Sequence, residues 1–493
     1  MAVDPPDRGL EIDNVSFVVR AQKFRVSAMV MKRSPISVAT EYATRLVHLV
    51  QGTRLEDMAG FFNLDPAETK VLLEDVLGTG LVREQNGQLA LSQRGQEALS
   101  PQTDTLDLFD VEEFVSTITL DLASFAPVEE SKLNPREVRV VEELALPDRE
   151  KAASAIAAAR DAFELHFHEL RVASGRRWLD DDTRLHSIDD VQPVGPLPAV
   201  FHIPVRWRSG DAPAVEADFA EISGKGRAGS RNALIACFSD RIKSITAPSD
   251  HQDAYDVIAE FDDTLFRRNG VRSPQDQAGW AALCEGQDDR ELRGADGPGL
   301  RLVGSTATSA VRSALLDWTQ GVRGSPSVTK TPVFWLPPRI PSWGRAVSFL
   351  NLASSLSAAH APDDGTVLLA RCASARDENK FWRKIYGGAS KLAPVYDRCL
   401  AVPATDLPDA LEIVVKPGSW VMALIHGPDP ATGYPFPIGY ITAARQFVDR
   451  FAYRIAELAS KADGTKSVLW TREGEDAHIA LARIDQALGI EDA

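Results

Sequence analysis

Residues 80–95, GLVREQNGQLALSQRG, contain two short apolar runs separated by Asn86-Gly87. This dipeptide is a strong hairpin signal, because both residues tolerate the positive φ that a tight turn requires. Upstream, Asp65 and Glu68 have the spacing of a capping box, in which each side chain satisfies a free N–H group at the start of a helix. The stretch therefore predicts a helix that is followed by a β-hairpin.

Two more helices are expected before this one. Thr53 and Glu56 have the spacing of a second capping box, and apolar residues repeat behind it on one helical face. Residues 37–50 carry another helical pattern. The whole order over residues 37–100 resembles a winged helix-turn-helix domain, and residues 80–95 resemble the wing and the following helix of MarR-like families. The resemblance implies a fold that many proteins use to read DNA.

The charge of this stretch does not suit a DNA duplex. From Thr53 to Leu99 it has four basic and eight acidic residues, and the second helix of the motif carries Glu68, Glu74 and Asp75. A DNA-reading helix needs Lys and Arg for its phosphate contacts. We therefore expect this module to contact protein, provided that the three acidic side chains are exposed.

Basic residues gather before the module. Residues 15–30 alternate apolar and polar side chains around Ala21-Gln22, and this pattern predicts a hairpin. The basic side chains here are candidate contacts to a nucleic-acid backbone, and the solvated outer face of a small sheet is the alternative. They are Arg20, Lys23, Arg25, Lys32 and Arg33, with no acidic residue between Val18 and Ser34.

The 493-residue chain is too long for a single hydrophobic core. Its hydrophobic content of 44% is that of a globular protein. Its net charge of −16 disfavours nucleic acid as a general partner, because like charges repel. We expect a cytoplasmic protein, because the sequence shows no secretory signal and no apolar run that could span a membrane. Cys237, Cys284, Cys372 and Cys399 form no C-x-x-C pair, which argues against a zinc ribbon or a disulfide scaffold.

Four consecutive segments are expected, which makes the fold class multidomain α/β. Residues 1–100 hold an N-terminal hairpin and the winged helix, and residues 101–190 form a helical bridge. The Ala-rich helix of the bridge, Lys151 to Leu170, suits either dimerisation or packing within the chain. Residues 191–299 are strand-rich. Residues 300–493 alternate strands and helices, which predicts a layered α/β domain with a largely parallel sheet.

Two motifs in the middle of the chain favour ordinary structure over a binding site. His166 and His168 are two residues apart on a predicted helix, where their side chains point in different directions and cannot chelate one metal ion. Residues 224–229, GKGRAG, match a nucleotide-binding glycine pattern, but residues 233–238 predict a strand where that pattern needs a helix. We therefore expect no metal site and no cofactor.

Residues 365–459 resemble the phospholipase D-like superfamily. The resemblance rests on the strand TVLLARC at 366–372, the hairpin EIVVKPGSWVMALI at 412–425 and the strand PIGYIT at 437–442. Catalysis in that family uses a His that is followed two residues later by Lys, and none of the nine His residues of this chain has that neighbour. The resemblance therefore implies a copy without the family's nucleophile, and it assigns no catalytic residue.

A second basic stretch is interleaved with aromatic residues. Phosphate contacts together with base stacking suit single-stranded nucleic acid, whereas an amphipathic helix with its aromatic rings in the core would explain the same pattern. The candidate nucleic-acid contacts are Arg376, Lys380, Trp382, Arg383 and Lys384, with Arg371, Phe381, Tyr386 and Lys391 nearby in the sequence.

Three functional hypotheses fit these patterns. The first is a non-enzymatic scaffold or adaptor in a bacterial complex that handles nucleic acid, for which an anti-phage defence role is an analogy. Its partners would be other proteins, with DNA or RNA and a second copy of the chain as further options. The second is a ligand-responsive winged-helix transcription regulator, and the third is a diverged phospholipase D-like hydrolase. Because G-x-S-x-G, H-E-x-x-H and P-loop motifs are absent, the sequence favours a non-enzymatic protein without settling the matter.

Overall fold

The structure is a computed structural model that describes residues 9–33, 36–99, 108–129, 134–173, 183–208, 213–223, 231–259, 276–279, 297–320, 331–359, 365–372, 376–387, 394–404 and 407–490. The chain packs as two compact units, each assembled from separate stretches. The first unit comprises Met1–Ala21, Asp121–Ala152 and Pro196–Ala493, and the second comprises Gln22–Leu120 and Ala153–Gly195. The sequence instead suggested consecutive segments with boundaries near residues 100, 190 and 299.

Fifteen α-helices and fifteen strands lie along the described chain. The helices are α1 (Val38–Leu49), α2 (Leu55–Phe62), α3 (Pro66–Gly78), α4 (Gln93–Ala98), α5 (Pro135–Val140), α6 (Arg149–Ala153), α7 (Ala155–Ala173), α8 (Ala220–Ser223), α9 (Asn232–Lys243), α10 (His251–Ala259), α11 (Ser309–Thr319), α12 (Val347–Ala359), α13 (Arg376–Ile385), α14 (Arg445–Ser460) and α15 (Ala477–Leu488). The strands are β1 (Leu10–Arg33), β2 (Val82–Gln85), β3 (Gln88–Leu91), β4 (Phe109–Asp121), β5 (Glu142–Glu143), β6 (Arg184–Arg208), β7 (Ala214–Ala217), β8 (Gly299–Val303), β9 (Val333–Leu336), β10 (Thr366–Cys372), β11 (Arg398–Pro403), β12 (Leu411–Lys416), β13 (Trp420–Pro428), β14 (Pro435–Thr442) and β15 (Val468–Trp470).

The second unit contains the helices and the hairpin that residues 37–100 predict. Asp65 caps α3, and the Glu68 carboxylate accepts from the Asp65 N–H at 3.0 Å, as the capping box requires. At the tip of the β2–β3 hairpin, Asn86 and Gly87 have φ values of 53° and 74°. These elements enclose a small core that includes Ala43, Val47, Met58, Leu72, Val76, Leu81, Val82 and Leu89.

The start of α2 differs from the prediction. Thr53 does not cap this helix, because its hydroxyl donates to the carbonyl of Val50 at 2.6 Å. The Arg54 N–H instead donates to the Asp57 carboxylate at 3.0 Å. An Arg side chain has no acceptor, so only this half of a capping box forms, one residue later than predicted, and α2 begins at Leu55.

β1 is one continuous strand, so the hairpin predicted around Ala21-Gln22 is wrong. Before this point the buried side chains include Phe17 and Ala21, whereas after it they are the even-numbered ones from Phe24 to Val30. Successive side chains of a strand point to opposite faces. The alternation therefore changes phase at this place, and in a sequence such a change looks like a turn.

The helical bridge predicted for residues 101–190 is only partly present. α6 and α7 occupy its middle, but β4 lies near its start and β6 begins at its end. The β4 segment STITL is rich in β-branched residues, which pack well on a pleated surface. β4, β1, β6 and β7 form one sheet in that order, and β5 pairs with β1.

Residues 233–238, predicted as a strand, lie in α9. Leu234, Phe238 and Ile242 are buried at the spacing of one helical face. A short apolar run fits a buried strand and a buried helix equally well, which explains the error. The glycine pattern at residues 224–229 lies outside the described residues.

An eight-stranded sheet, ordered β15-β11-β10-β9-β12-β13-β14-β8, forms the centre of the first unit. β10 is parallel to both β9 and β11, and all other neighbouring pairs of this sheet are antiparallel. The prediction of a largely parallel sheet is therefore wrong, and the unit is a mixed α/β structure. β12 and β13 are joined by the turn 417–419, which is too short for the crossover that parallel strands need.

The two faces of this sheet pack into different cores. One core includes Trp335, Leu368, Met422, Leu315 of α11 and Phe349 of α12. The other includes Phe334, Leu369, Ala423, and Phe451 and Ile455 of α14. Because strand side chains alternate between the faces, sequence neighbours on β9, β10 and β13 belong to opposite cores.

Gly439 on β14 is expected to tolerate no side chain, because a Cβ atom at this position would lie 1.9 Å from the carbonyl oxygen of Ala423. Gly439→Ala should lower the free energy of unfolding by about 1–3 kcal/mol, since the two strands must move apart. Gly427→Ala on β13 is the matched control, because a Cβ atom there meets nothing within 4 Å. Its unfolding free energy should change by less than about 0.5 kcal/mol. Urea unfolding measures both values, and equal stability of the two variants would contradict the expectation.

Candidate functional site

The basic residues predicted on β1 differ in strand face and in position along the strand. Arg20 belongs to the first unit and its Nε lies 2.6 Å from a carboxylate oxygen of Glu143. The others, in the second unit, are Lys23, Arg25, Lys32 and Arg33. Side chains of a strand alternate, so Lys32 points to the opposite face from the other three. Lys23 and Arg33 are also about 33 Å apart along the strand.

The second basic stretch is organised by helix α13. Lys380, Arg383 and Lys384 are exposed on this helix. Trp382 is half-buried and stacks on the buried Tyr386, with 5.7 Å between the ring centroids. The helix therefore turns its charges to solvent and one aromatic side to the protein, which is the amphipathic arrangement that the sequence offered as the alternative.

The remaining basic residues of this stretch differ in position. The side chain of Arg376 and the whole of Lys391 lie outside the described residues. Arg371 on β10 is buried, and its guanidinium donates to the carbonyls of Leu407, Pro408 and Leu411 at 2.6–2.8 Å. Burial lowers the pKa of Arg371 to about 10, so it remains a cation at neutral pH.

A cavity of about 450 Å³ lies between the loop that follows β9 and helix α13. Its position corresponds to the carboxyl ends of the parallel strands β9 and β10, which is where α/β proteins bind ligands. The volume falls within the range of small-molecule sites. Its aromatic lining consists of Trp343, Phe381, Trp382 and Tyr386, and we call it the arginine–aromatic cavity.

Charged side chains of both signs line the same cavity. They are Arg339, Arg345, Arg371, Glu378 and Asp409. Arg339 donates to Glu378 at 2.9 Å. Arg345 lies over the Phe381 ring, 5.4 Å from its centroid, and 3.6 Å from Glu142. Burial raises the pKa of Asp409, and Arg371, at 3.7 Å, opposes this rise. Three guanidinium groups thus outnumber two carboxylates on the lining.

A buried carboxylate accepts a hydrogen bond from Trp343, one of the residues that line the cavity. Glu412 on β12 is fully buried, and its Oε1 accepts from the indole N–H groups of Trp335 and Trp343 at 3.0 and 3.1 Å. Thr306 donates to the same oxygen at 3.4 Å, and Nε2 of His426 lies 2.9 Å from Oε2. Both carboxylate oxygens have partners, so the buried polar group is satisfied and the Trp343 ring is fixed in place.

Trp343, Arg345 and Glu412 line or support the cavity without being predicted as site residues from the sequence. One signal was available, because Glu412 is a charged residue inside the apolar run LEIVVK of β12. A charge at such a position has to be paired, since an unpaired buried charge is strongly destabilising. The pattern predicts a partner in this way, but it does not say which residue the partner is.

The two histidines considered for a metal site lie on α7, where His166 is buried and His168 is exposed. Within the described ranges, no three His, Cys, Asp or Glu side chains are grouped so that they could hold a metal ion. None of the helices in that part of the chain has the length and apolar character that a bilayer crossing needs.

Loss of the Glu412 carboxylate is expected to be strongly destabilising. Glu412→Ala removes the acceptor of Trp335, Trp343 and His426 and should lower the free energy of unfolding by about 3–5 kcal/mol. Glu457→Ala is the control, because Glu457 is 40% exposed and pairs with Arg454 at 3.1 Å on the surface. That change should have an effect of at most about 1 kcal/mol. Urea unfolding compares the two variants, and a Glu412→Ala protein as stable as the control would show that the network does not hold the cavity wall.

No family model, curated protein or solved structure matches this chain. What the protein does therefore has to follow from its own residues.

Proposed function

We propose that this chain is a non-enzymatic adaptor in a complex that handles nucleic acid, and that its winged-helix-like module, residues 37–100, contacts a protein partner with a basic surface. The observation that carries the proposal is the exposed face of α3. Glu68, Glu74 and Asp75 are all exposed there, and the helix's one basic residue, Lys70, lies 3.9 Å from Glu74. A DNA duplex would meet acidic groups where it needs cations.

Exposed apolar side chains on the same module support a protein contact. Val71 on α3 is 59% exposed, and Phe61 on α2 is 67% exposed. Phosphate groups gain nothing from such side chains, whereas protein interfaces combine an apolar centre with a polar rim. The acidic charge then selects the partner, because opposite potentials attract across an interface and like potentials repel.

A ligand-responsive regulator is the second candidate, and the arginine–aromatic cavity in the first unit favours it. This function requires the module to bind duplex DNA in at least one ligand state. The hydrolase hypothesis gains no such support, because His426, a fully buried histidine of the sheet, is paired with Glu412 and not with a lysine.

The electrostatic part of the proposal predicts that the wild-type chain does not bind a DNA duplex. Glu68→Lys/Glu74→Lys/Asp75→Lys should create binding with a steep salt dependence between about 50 and about 200 mM, because the reversed face releases counterions from phosphate. Glu56→Lys/Glu84→Lys/Glu97→Lys is the control for charge, with the same charge change on exposed residues outside α3, and circular dichroism checks that α3 survives the loss of the Glu68 acceptor at its start. Fluorescence anisotropy of a labelled mixed-sequence duplex measures the affinity. Salt-dependent duplex binding by the wild-type chain would overturn the proposal, and equal binding by both variants would remove α3 from it.

The same variants test the protein contact. A soluble lysine-rich peptide is the probe for a basic partner surface, and reversal on α3 should weaken its binding more than the control reversal does. If both reversals weaken the peptide equally, the attraction comes from net charge and the contact does not lie on α3.

A further inference from the structure

The arginine–aromatic cavity presents a continuous group of rings. Trp382 stacks on Tyr386 with their planes 28° apart, and Phe381 meets Trp382 edge-on with 5.6 Å between centroids. Trp343 meets Tyr386 edge-on, with 6.2 Å between the ring centroids. Phe381 is 40% exposed although it is fully apolar. An exposed ring beside a cavity is the feature on which nucleic-acid-binding proteins stack a base.

Positive charge lies directly beside these rings. Arg345 is placed over Phe381, and its buried Nε–H has no acceptor among the described residues. Lys384 lies three residues after Phe381 and therefore shares its helical face. Guanidinium groups stack on rings and also fit phosphate oxygens in a bidentate manner. Each lining arginine has a carboxylate within 4 Å, and the exposed Lys380, Arg383 and Lys384 of α13 add positive charge beside the rings.

The geometry points to a nucleoside phosphate as the ligand of the arginine–aromatic cavity, with the base against Phe381 and Trp382 and the phosphate against Arg345. This inference is independent of the protein contact proposed for α3, because every residue of the cavity belongs to the first unit. The ligand is either a free nucleotide or one nucleotide of a single strand whose backbone continues along α13.

The carboxylates of the lining determine which part of the ligand dominates binding. Arg339 is neutralised by Glu378 at 2.9 Å, and the Arg371 guanidinium is held by three backbone carbonyls. Arg345 lies 3.6 Å from Glu142 and is more exposed than the buried Arg371, whose nearest carboxylate, Asp409, is at 3.7 Å. An inorganic anion would therefore meet little available charge, and a nucleoside would lack the charged contact. A nucleoside monophosphate combines both contacts and is expected to bind at least about ten times more tightly than either part.

The first test is calorimetric titration of the full chain with adenosine monophosphate, adenosine and inorganic phosphate. Phe381→Ala should raise the Kd of the monophosphate by about 5-fold to 100-fold, because one stacking contact is lost. Tyr453→Ala is the matched control, since Tyr453 is an aromatic residue on α14 that is 67% exposed and does not line the cavity. Its Kd should equal that of the wild-type chain.

Arg345→Gln separates the two contacts within the ligand. This variant should bind the monophosphate only as tightly as the wild-type chain binds adenosine, and its Kd for adenosine should not change. Retained adenosine binding also shows that the cavity is still folded. Equal losses of affinity for adenosine and for the monophosphate would contradict a phosphate contact at Arg345.

Single-stranded oligothymidylate distinguishes the two sources of the nucleotide. If the ligand is part of a single-stranded nucleic acid, the oligonucleotide binds more tightly than the monophosphate. Lys380→Gln/Arg383→Gln/Lys384→Gln then reduces this difference in affinity and the salt dependence of oligonucleotide binding. If the ligand is a free nucleotide, the triple substitution leaves both affinities unchanged. The inference is overturned if neither probe binds saturably, if Phe381→Ala binds like the wild-type chain, or if an acidic phenylalanine-containing peptide binds more tightly than both probes.

Discussion

The buried carboxylate of Glu412 is the contact on which the centre of the first unit depends. It joins β12 to Trp335 on β9, to Trp343 in the loop after β9 and to His426 on β13. A buried charge is tolerated only when its hydrogen bonds are complete, so the strands and the loop have to adopt their positions together. The hydrogen bonds of Glu412 that join the strands therefore also fix Trp343, which lines the arginine–aromatic cavity.

The eight-stranded sheet has a parallel part and an antiparallel part, and the two parts have different roles at the cavity. β9, β10 and β11 are parallel, so α12 and α13 follow the carboxyl ends of strands and leave a crevice there. β12 and β13 are antiparallel to each other and joined by a tight turn, and they carry Glu412 and His426 behind that crevice. The parallel part of the sheet forms the cavity, and the antiparallel part supports it.

Local signals in the sequence predicted most of the local interactions, although the helix cap predicted at Thr53 lies one residue before the one that forms. The Asp65–Glu68 box and the Asn86-Gly87 turn involve neighbouring residues, and both are present in the structure. The exposure of Glu74 and Asp75, which the argument from charge required, is also present. The direction of the sheet was not predictable in this way, because strand pairing is decided by distant partners.

The candidate site illustrates the same limit. Phe381 and Trp382 were singled out because basic and aromatic residues alternate around them. Trp343 and Glu412 are 69 residues apart in the sequence, and no periodic pattern connects them. The hairpin predicted at Ala21-Gln22 is wrong for a related reason. A change in which strand face is buried and a turn between two strands produce the same local sequence pattern.

The discontinuous first unit has a consequence for how the chain is made. Asp13 accepts hydrogen bonds from Ser305 and from Tyr434, which is 421 residues further along the chain. At a synthesis rate of about 5–20 residues per second, Tyr434 is made on the order of a minute after Asp13. β1 pairs along its two edges with β4 and β6, which are made much earlier, so the late partners complete side-chain contacts and not the hydrogen bonds between strands. A chain that stops before Tyr434 should therefore keep a paired first strand but lack one of the two side-chain hydrogen-bond donors to Asp13.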